Sequence, residues 1–187
     1  MGRIVVTEFI SLDGVIEAPG GGDSFEHAGW TFQFDAGDDA DRFKLDEVMN
    51  AESLLVGRAT YDDMAAAWPS MEGVFADRMN ALPKHVVTST PGLPAWSNSA
   101  VLEGDVVESV SAVRQAAGGD VLVFGSAMLV QTLVENDLVD ELRLMLFPIV
   151  LGSGKRLFGT TTATKRLHLA ETRSFGDGIS LLVLRSA

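Results

Sequence analysis

An apolar run, LLVG at residues 54–57, is followed at once by Arg58 and Thr60. A small residue that admits a ligand, then a cation and a hydroxyl where a helical segment begins, is a pattern suited to holding an anion. Thr60 with Asp63 three residues on also reads as an N-terminal capping pair, so this stretch alone leaves both readings open. A second stretch, VLVFGSAM at 121–128, ends an apolar run at Gly125 and opens a helix at Ser126. The amides of Ser126 and Ala127 are then expected to point outward, with no side chain at Gly125 to block a pyrophosphate. The competing reading is a plain turn at Gly125 with Ser126 as a helix cap. Thr88, Ser89 and Thr90 close a third apolar run. Three such endings on the carboxyl edge of one sheet would suit an extended cofactor with two phosphate regions.

Other chemistries lack their signatures. GSGK at 152–155 has neither the upstream glycine of a phosphate-binding loop nor a hydroxyl after the lysine. The FGSAM stretch does not have the spacing of a nucleophile elbow, and no G-x-G-x-x-G follows any apolar run. The chain has no cysteine, which removes disulfides and thiolate chemistry, and its three histidines do not share a ligand spacing, so no metal site is expected. A net charge of −12 lacks the basic stripe that nucleic acid requires. A small anion remains compatible with it, because backbone amides set the local field.

Elements that position these residues follow from hydrophobic period. RIVVTEFIS, SLLVG (53–57), HVVTS (85–89) and DVLVFG (120–125) are Val- and Leu-rich runs that read as strands buried on both faces. Between them lie helical segments at 38–50, 60–67, 105–117 and 126–136; in the third, Asp105 with Glu108 fits a capping box and Gly118–Gly119 the stop. Alternation of this kind predicts an α/β domain with a largely parallel sheet. After residue 138 the pattern changes: DELRLMLF alternates as a strand, and two further strands flank GDG as a hairpin, giving a mixed sheet with an antiparallel end. The irregular stretches 14–30 and 69–84 are long enough to be functional loops. At 187 residues one domain spanning 1–187 is expected, with no membrane span, no signal peptide and a cytoplasmic location as the default.

In order along the chain, SLDGVIEAPGG, LLVGRATYDDM, KHVVTST, VLVFGSAMLVQTL, LVDELRL and PIVLGSGKRLF resemble the dihydrofolate reductase superfamily. The branch they resemble is the C-terminal reductase domain of the bifunctional riboflavin biosynthesis deaminase-reductase. The resemblance implies a three-layer dihydrofolate-reductase-like fold and NADPH as cofactor. It places Gly57, Arg58 and Thr60 at the cofactor's phosphates. Thr88, Ser89 and Thr90 fall around the 2′-phosphate, and Gly125, Ser126, Ala127 and Met128 under the pyrophosphate. Gly125–Ser126 stands where folate reductases carry paired glycines. By the same resemblance Asp13 lines the substrate pocket and is a candidate catalytic residue, with an Asp-Gly turn as its ordinary reading. The helix after the first loop offers a catalytic carboxylate among Asp35, Asp38, Asp39 and Asp41, with Asp39 the chosen candidate. Trp30, Phe32, Phe34 and Trp68 are candidates for an aromatic wall around a flat substrate, or for core. Lys155 and Arg156 either touch phosphate or lie in solvent.

These residues imply an NADPH-dependent reductase of a small pterin-like or ribosylaminopyrimidine-like substrate. The alternative is a non-catalytic dinucleotide- or ligand-binding regulatory protein of the same fold. A homodimer is expected by resemblance, formed through the antiparallel end or a flanking helix.

Overall fold

A computed structural model describes residues 1–22, 24–93 and 95–187. Eight strands form one sheet: β1 (Arg3–Ser11), β2 (Ala51–Gly57), β3 (Lys84–Val87), β4 (Ser99–Leu102), β5 (Asp120–Val123), β6 (Glu141–Phe147), β7 (Leu167–Phe175) and β8 (Ile179–Ser186). Their spatial order is β4-β3-β2-β5-β1-β6-β8-β7. All pairs from β4 to β6 are parallel, and β8 runs antiparallel to both β6 and β7. The expected mixed sheet with an antiparallel C-terminal hairpin is therefore present.

Among the described residues five α-helices cover it: α1 (Asp38–Asn50), α2 (Arg58–Ala67), α3 (Val74–Ala81), α4 (Val106–Ala116) and α5 (Ala127–Glu135). Residue parity on β1 shows how the layers are built, since successive side chains on a strand point to opposite faces. Ile4, Val6 and Ile10 pack with Val110 of α4 and Leu129, Val130 and Leu133 of α5. Val5 packs on the other face with Val48 of α1, Tyr61 of α2 and Met79 of α3. Each fully buried Val or Leu contributes roughly 1.5–3 kcal/mol relative to exposure, so both faces of the central strands are strongly fixed. Below, the face carrying α1, α2 and α3 is the front and that carrying α4 and α5 the back.

Two local readings are settled by the structure. Asp105 caps α4 as expected, its Oδ1 accepting the amides of Val107 at 2.9 Å and Glu108 at 3.0 Å. Residues 69–84, expected as a loop, instead carry α3: Gly73, at φ 109°, starts the helix, and buried Ala76 and Met79 anchor it, the latter in the front core. No helix among the described residues is long and apolar enough to cross a membrane.

Candidate functional site

Beyond its last residue β2 continues into α2 on the front, whereas β5 continues into α5 on the back. Strand β5 lies between β2 and β1, and the chain after β1 also goes to the front helix α1. Neighbouring strands whose connections leave toward opposite faces open a crevice at their carboxyl ends. Two such crevices therefore flank β5. Gly57, Thr88 and Gly125 follow or end β2, β3 and β5, three adjacent parallel strands, so all three lie on one rim.

The β2/β5 crevice is closed by hydrogen bonds. The amide of Gly57 donates to Ser126 Oγ at 2.9 Å, and the amide of Ser126 donates to Thr60 Oγ1 at 2.9 Å. Gly125 and Ser126 are both left-handed, at φ 53° and φ 55°. A Cβ on Gly125 would lie 3.0 Å from Thr60 Oγ1 and 3.1 Å from its Cγ2, so both conformation and close approach require glycine there. Ser126, by contrast, holds a positive φ with a side chain, using its Oγ to fasten the turn to Gly57 and to the Phe124 carbonyl at 3.0 Å. These bonds correct three expectations. Thr60 does not cap α2, Ser126 does not cap α5, and the Ser126 amide does not point outward, because Thr60 already accepts it. The outward amides at the start of α5 are those of Ala127 and Met128, the latter with its side chain exposed on the rim.

Arg58 is likewise engaged within the fold. Its Nε lies 2.8 Å from both oxygens of Asp62, and its Nη1 donates to the carbonyls of Gly92 at 2.8 Å and Thr90 at 3.4 Å. Arg58 thereby acts as a strut that ties α2 to the loop after β3. Thr88 Oγ1 accepts the Thr90 amide at 3.0 Å and folds that loop into a tight turn, leaving Ser89 and Thr90 exposed.

Asp13 holds another loop. Its Oδ1 accepts Ser11 Oγ at 2.7 Å and the Leu151 amide at 3.1 Å, and its Oδ2 accepts the Gly152 amide at 2.8 Å. The Ser11 hydroxyl, followed by the Leu151 amide, holds its pKa down at about 2. A carboxylate so stabilised does not donate a proton near neutrality, so Asp13 is unsuited to the part of an acid. It clamps the segment after β6 to the β1 turn, aided by Arg156 Nε on its own carbonyl at 3.0 Å. Lys155 pairs with Glu17 at 3.1 Å and Arg156 with Asp13 at 3.6 Å, both cations exposed at the surface, in keeping with the solvent reading.

Asp39 is exposed on the first turn of α1, 3.5 Å from Arg42. It lines a cavity of about 320 Å³ with Arg42, Phe43, Asp46 and Arg173 at the β7 end. Strands β1, β6 and β8 separate that end from β5, so Asp39 is not at the rim. The aromatic wall does not assemble either. Trp30 is fully buried, donating to the Glu17 carbonyl at 2.9 Å and meeting Phe147 edge-on at 5.3 Å; Phe34 meets the same Phe147 ring at 5.5 Å. Trp68 stacks on Phe75 in a different cluster.

The structure adds residues that the sequence pattern alone does not single out. Lys44 of α1 reaches Thr7 Oγ1 of β1 and Glu47, each at 2.6 Å, with its Nζ 5.3 Å from the ring centres of both Phe9 and Phe124. This cation and ring pair front the β1/β5 crevice. Glu8, on the back face of the same strand, is buried, and the Gly125 amide is directed at its carboxyl group. Burial pushes its pKa well above the usual carboxylate range, against the lowering effect of that amide and of Lys44. The signal lies in RIVVTEFIS: Thr7 and Glu8 are buried polar residues between the apolar pairs Val5–Val6 and Phe9–Ile10.

With this geometry in view, the relatives are informative. The chain matches the RibD C-terminal domain family model over residues 3–181. YyaP and YwjB of Bacillus subtilis (strain 168), both uncharacterized, are 28% and 25% identical; the matches cover 97% and 95% of this chain and 93% and 94% of theirs. Among solved structures, a Shewanella sp. PV-4 protein named for riboflavin biosynthesis superposes with a TM-score of 0.80 at 18% identity, covering 99% of both chains. A pyrimidine reductase-like protein of Corynebacterium diphtheriae gives 0.65 at 13% identity, covering 99% of this chain and 92% of that one. RibD of Acinetobacter baumannii gives 0.67 at 15%, covering all of this chain and 58% of the longer one. At those identities the structures speak to fold, and the fold agrees. The family match spans nearly the whole chain, so this protein belongs to the RibD C-terminal domain family, a family of riboflavin-pathway-type reductases.

Proposed function

We propose that the protein is an NADPH-dependent reductase of a small heterocycle, pterin-like or ribosylaminopyrimidine-like. The observation that carries this reading is the shared rim: Gly57, Thr60, the 88–90 loop and the Gly125–Ser126 turn stand at adjacent strand ends beside a crevice. A dinucleotide fits this arrangement, because α5 begins at the rim and its first amides are available to a pyrophosphate. Ala127 and Met128 would hold the pyrophosphate, and Thr88, Ser89 and Thr90 the 2′-phosphate, on a loop that Arg58 keeps in place. When bound, NADPH supplies the hydride. Lys44 offers a positive donor between Phe9 and Phe124, suited to orienting a flat, polar ring in front of the crevice.

Tryptophan fluorescence and melting temperature should both respond to NADPH, and Arg58→Ala should weaken NADPH more than NADH by loosening the 2′-phosphate loop. Absence of any NADPH response would remove the reading. A second reading is favoured by one observation: Asp13 is held ionised and Asp39 lies off the rim, so neither candidate carboxylate serves as a proton donor. A protein that binds NADPH tightly yet reduces no pterin or aminopyrimidine would be the regulatory binder instead. A homodimer through the antiparallel end is supported by β7, an edge strand with Leu167 and Leu169 exposed. Light scattering at the mass of one chain would exclude it.

A further inference from the structure

Glu8 is the buried acid that neither the fold nor the proposed reaction uses. It lies on β1 one step beyond Thr7 and two beyond Val6, whose partner Val123 is the last residue of β5. From there on β1 has lost its β5 neighbour, while it still pairs with β6, Glu8 opposite Leu144. Glu8 thus sits at the root of the β1/β5 crevice, directly where the chain turns through Gly125. Its Oε1 is buried and has no hydrogen-bond partner, which is costly for any carboxyl and far more so for an ionised one.

The surroundings offer little to balance a charge. On the front, Lys44 and Glu47 of α1 are the charged groups that bear on Glu8, and Lys44 already pairs with Glu47 at 2.6 Å. Arg143 of β6 lies opposite Thr7 on the front face, bound to Glu141, Asp120 and Glu47. From the back, residues 127–134 of α5 contain no titratable side chain. Past β6, Lys155 and Arg156 are paired with Glu17 and Asp13. An ionised Glu8 therefore leaves a negative charge beneath the same turn whose outer side faces the pyrophosphate in the proposed cofactor site.

We propose that Glu8 is a positioning residue for the Gly125–Ser126 turn: its neutral carboxyl supports the Gly125 amide from beneath, and its ionisation opposes an anion on the outer side. This rests on the dinucleotide reading and gives it a regulation. Because linkage is reciprocal, ionisation weakens anion binding by the same factor by which the bound anion suppresses ionisation.

The sign follows from burial, which raises the pKa: Glu8 is neutral at low pH and ionises as pH rises. NADPH affinity of the wild-type protein should fall by about tenfold across the pH range in which Glu8 ionises, one pK unit of coupling. Glu8→Gln keeps the carbonyl acceptor and cannot ionise, so any slope it retains belongs to the cofactor's own phosphate and other groups. At the alkaline end of that range E8Q should bind NADPH more tightly than the wild type. A structural role alone would not make that crossing pH-dependent. Parallel pH profiles for the two proteins, whether flat or falling, would overturn the proposal and leave the cofactor reading intact. No NADPH binding by either protein at any pH would overturn both. As a measurement free of cofactor, the Gly125 amide resonance should titrate with pH in the wild type and not in E8Q; equal behaviour in both would also overturn it.

Discussion

The two crevices beside β5 are built from the same turn and could hardly differ more. On the β2 side Gly57, Thr60 and Ser126 satisfy one another with neutral hydrogen bonds of 2.9 Å, so that side is a closed frame. On the β1 side the same turn rests over a buried carboxyl with an unpartnered oxygen. A frame made of neutral pairs responds weakly to pH and strongly to shape. A buried carboxyl does the reverse.

Substitutions can break or sharpen that contrast. Gly125→Ala should have the largest effect, because it meets both the positive φ and the Thr60 side chain. A loss of about 1–3 kcal/mol in urea unfolding is expected, together with loss of the NADPH response. Next comes Thr60→Val, which removes the acceptor of the Ser126 amide and should cost about 1–2 kcal/mol, with Thr60→Ser recovering most of it.

Asp13→Asn tests the β1 side in acid. Its folded pKa of about 2 lies below the ordinary 3.8, so its stabilisation is complete above that ordinary value and disappears as pH falls from about 4 through 2. Acid unfolding followed by circular dichroism should therefore be less steep over that interval in the variant. The smallest effect belongs to Gly57→Ala. With φ −80° and the nearest side-chain atoms 3.7 Å from the position an added methyl would take, stability should change by no more than about 0.5 kcal/mol in thermal melting. A large loss there would show that the β2 side depends on conformation rather than on hydrogen bonds.

Much of this architecture is legible in the sequence because period and punctuation carry it. Helix α1 has the bounds expected from 38–50, and the strands ending at Gly57 and before Gly125 fall where apolar runs meet glycine. The α3 helix is hidden because it has only eight residues and its apolar positions sit among Asp77, Arg78 and Asn80. At the site, sequence locates the rim but not the partners on it. Arg58 and Asp13 look available because their types suit ligands and catalysis. Their actual partners include the carbonyls of Thr90 and Gly92 and the amides of Leu151 and Gly152, backbone groups that no side-chain pattern encodes. Lys44 escapes for a related reason: it needs Thr7 and two rings from other elements to become conspicuous.

Arg58 grips the main chain at Thr90 and Gly92, not the side chains. The path of that segment is therefore indifferent to what Ser89 and Thr90 carry. In the proposed cofactor site those two positions are a replaceable label on a fixed bracket, where a change of cofactor preference could be written without redesigning the scaffold.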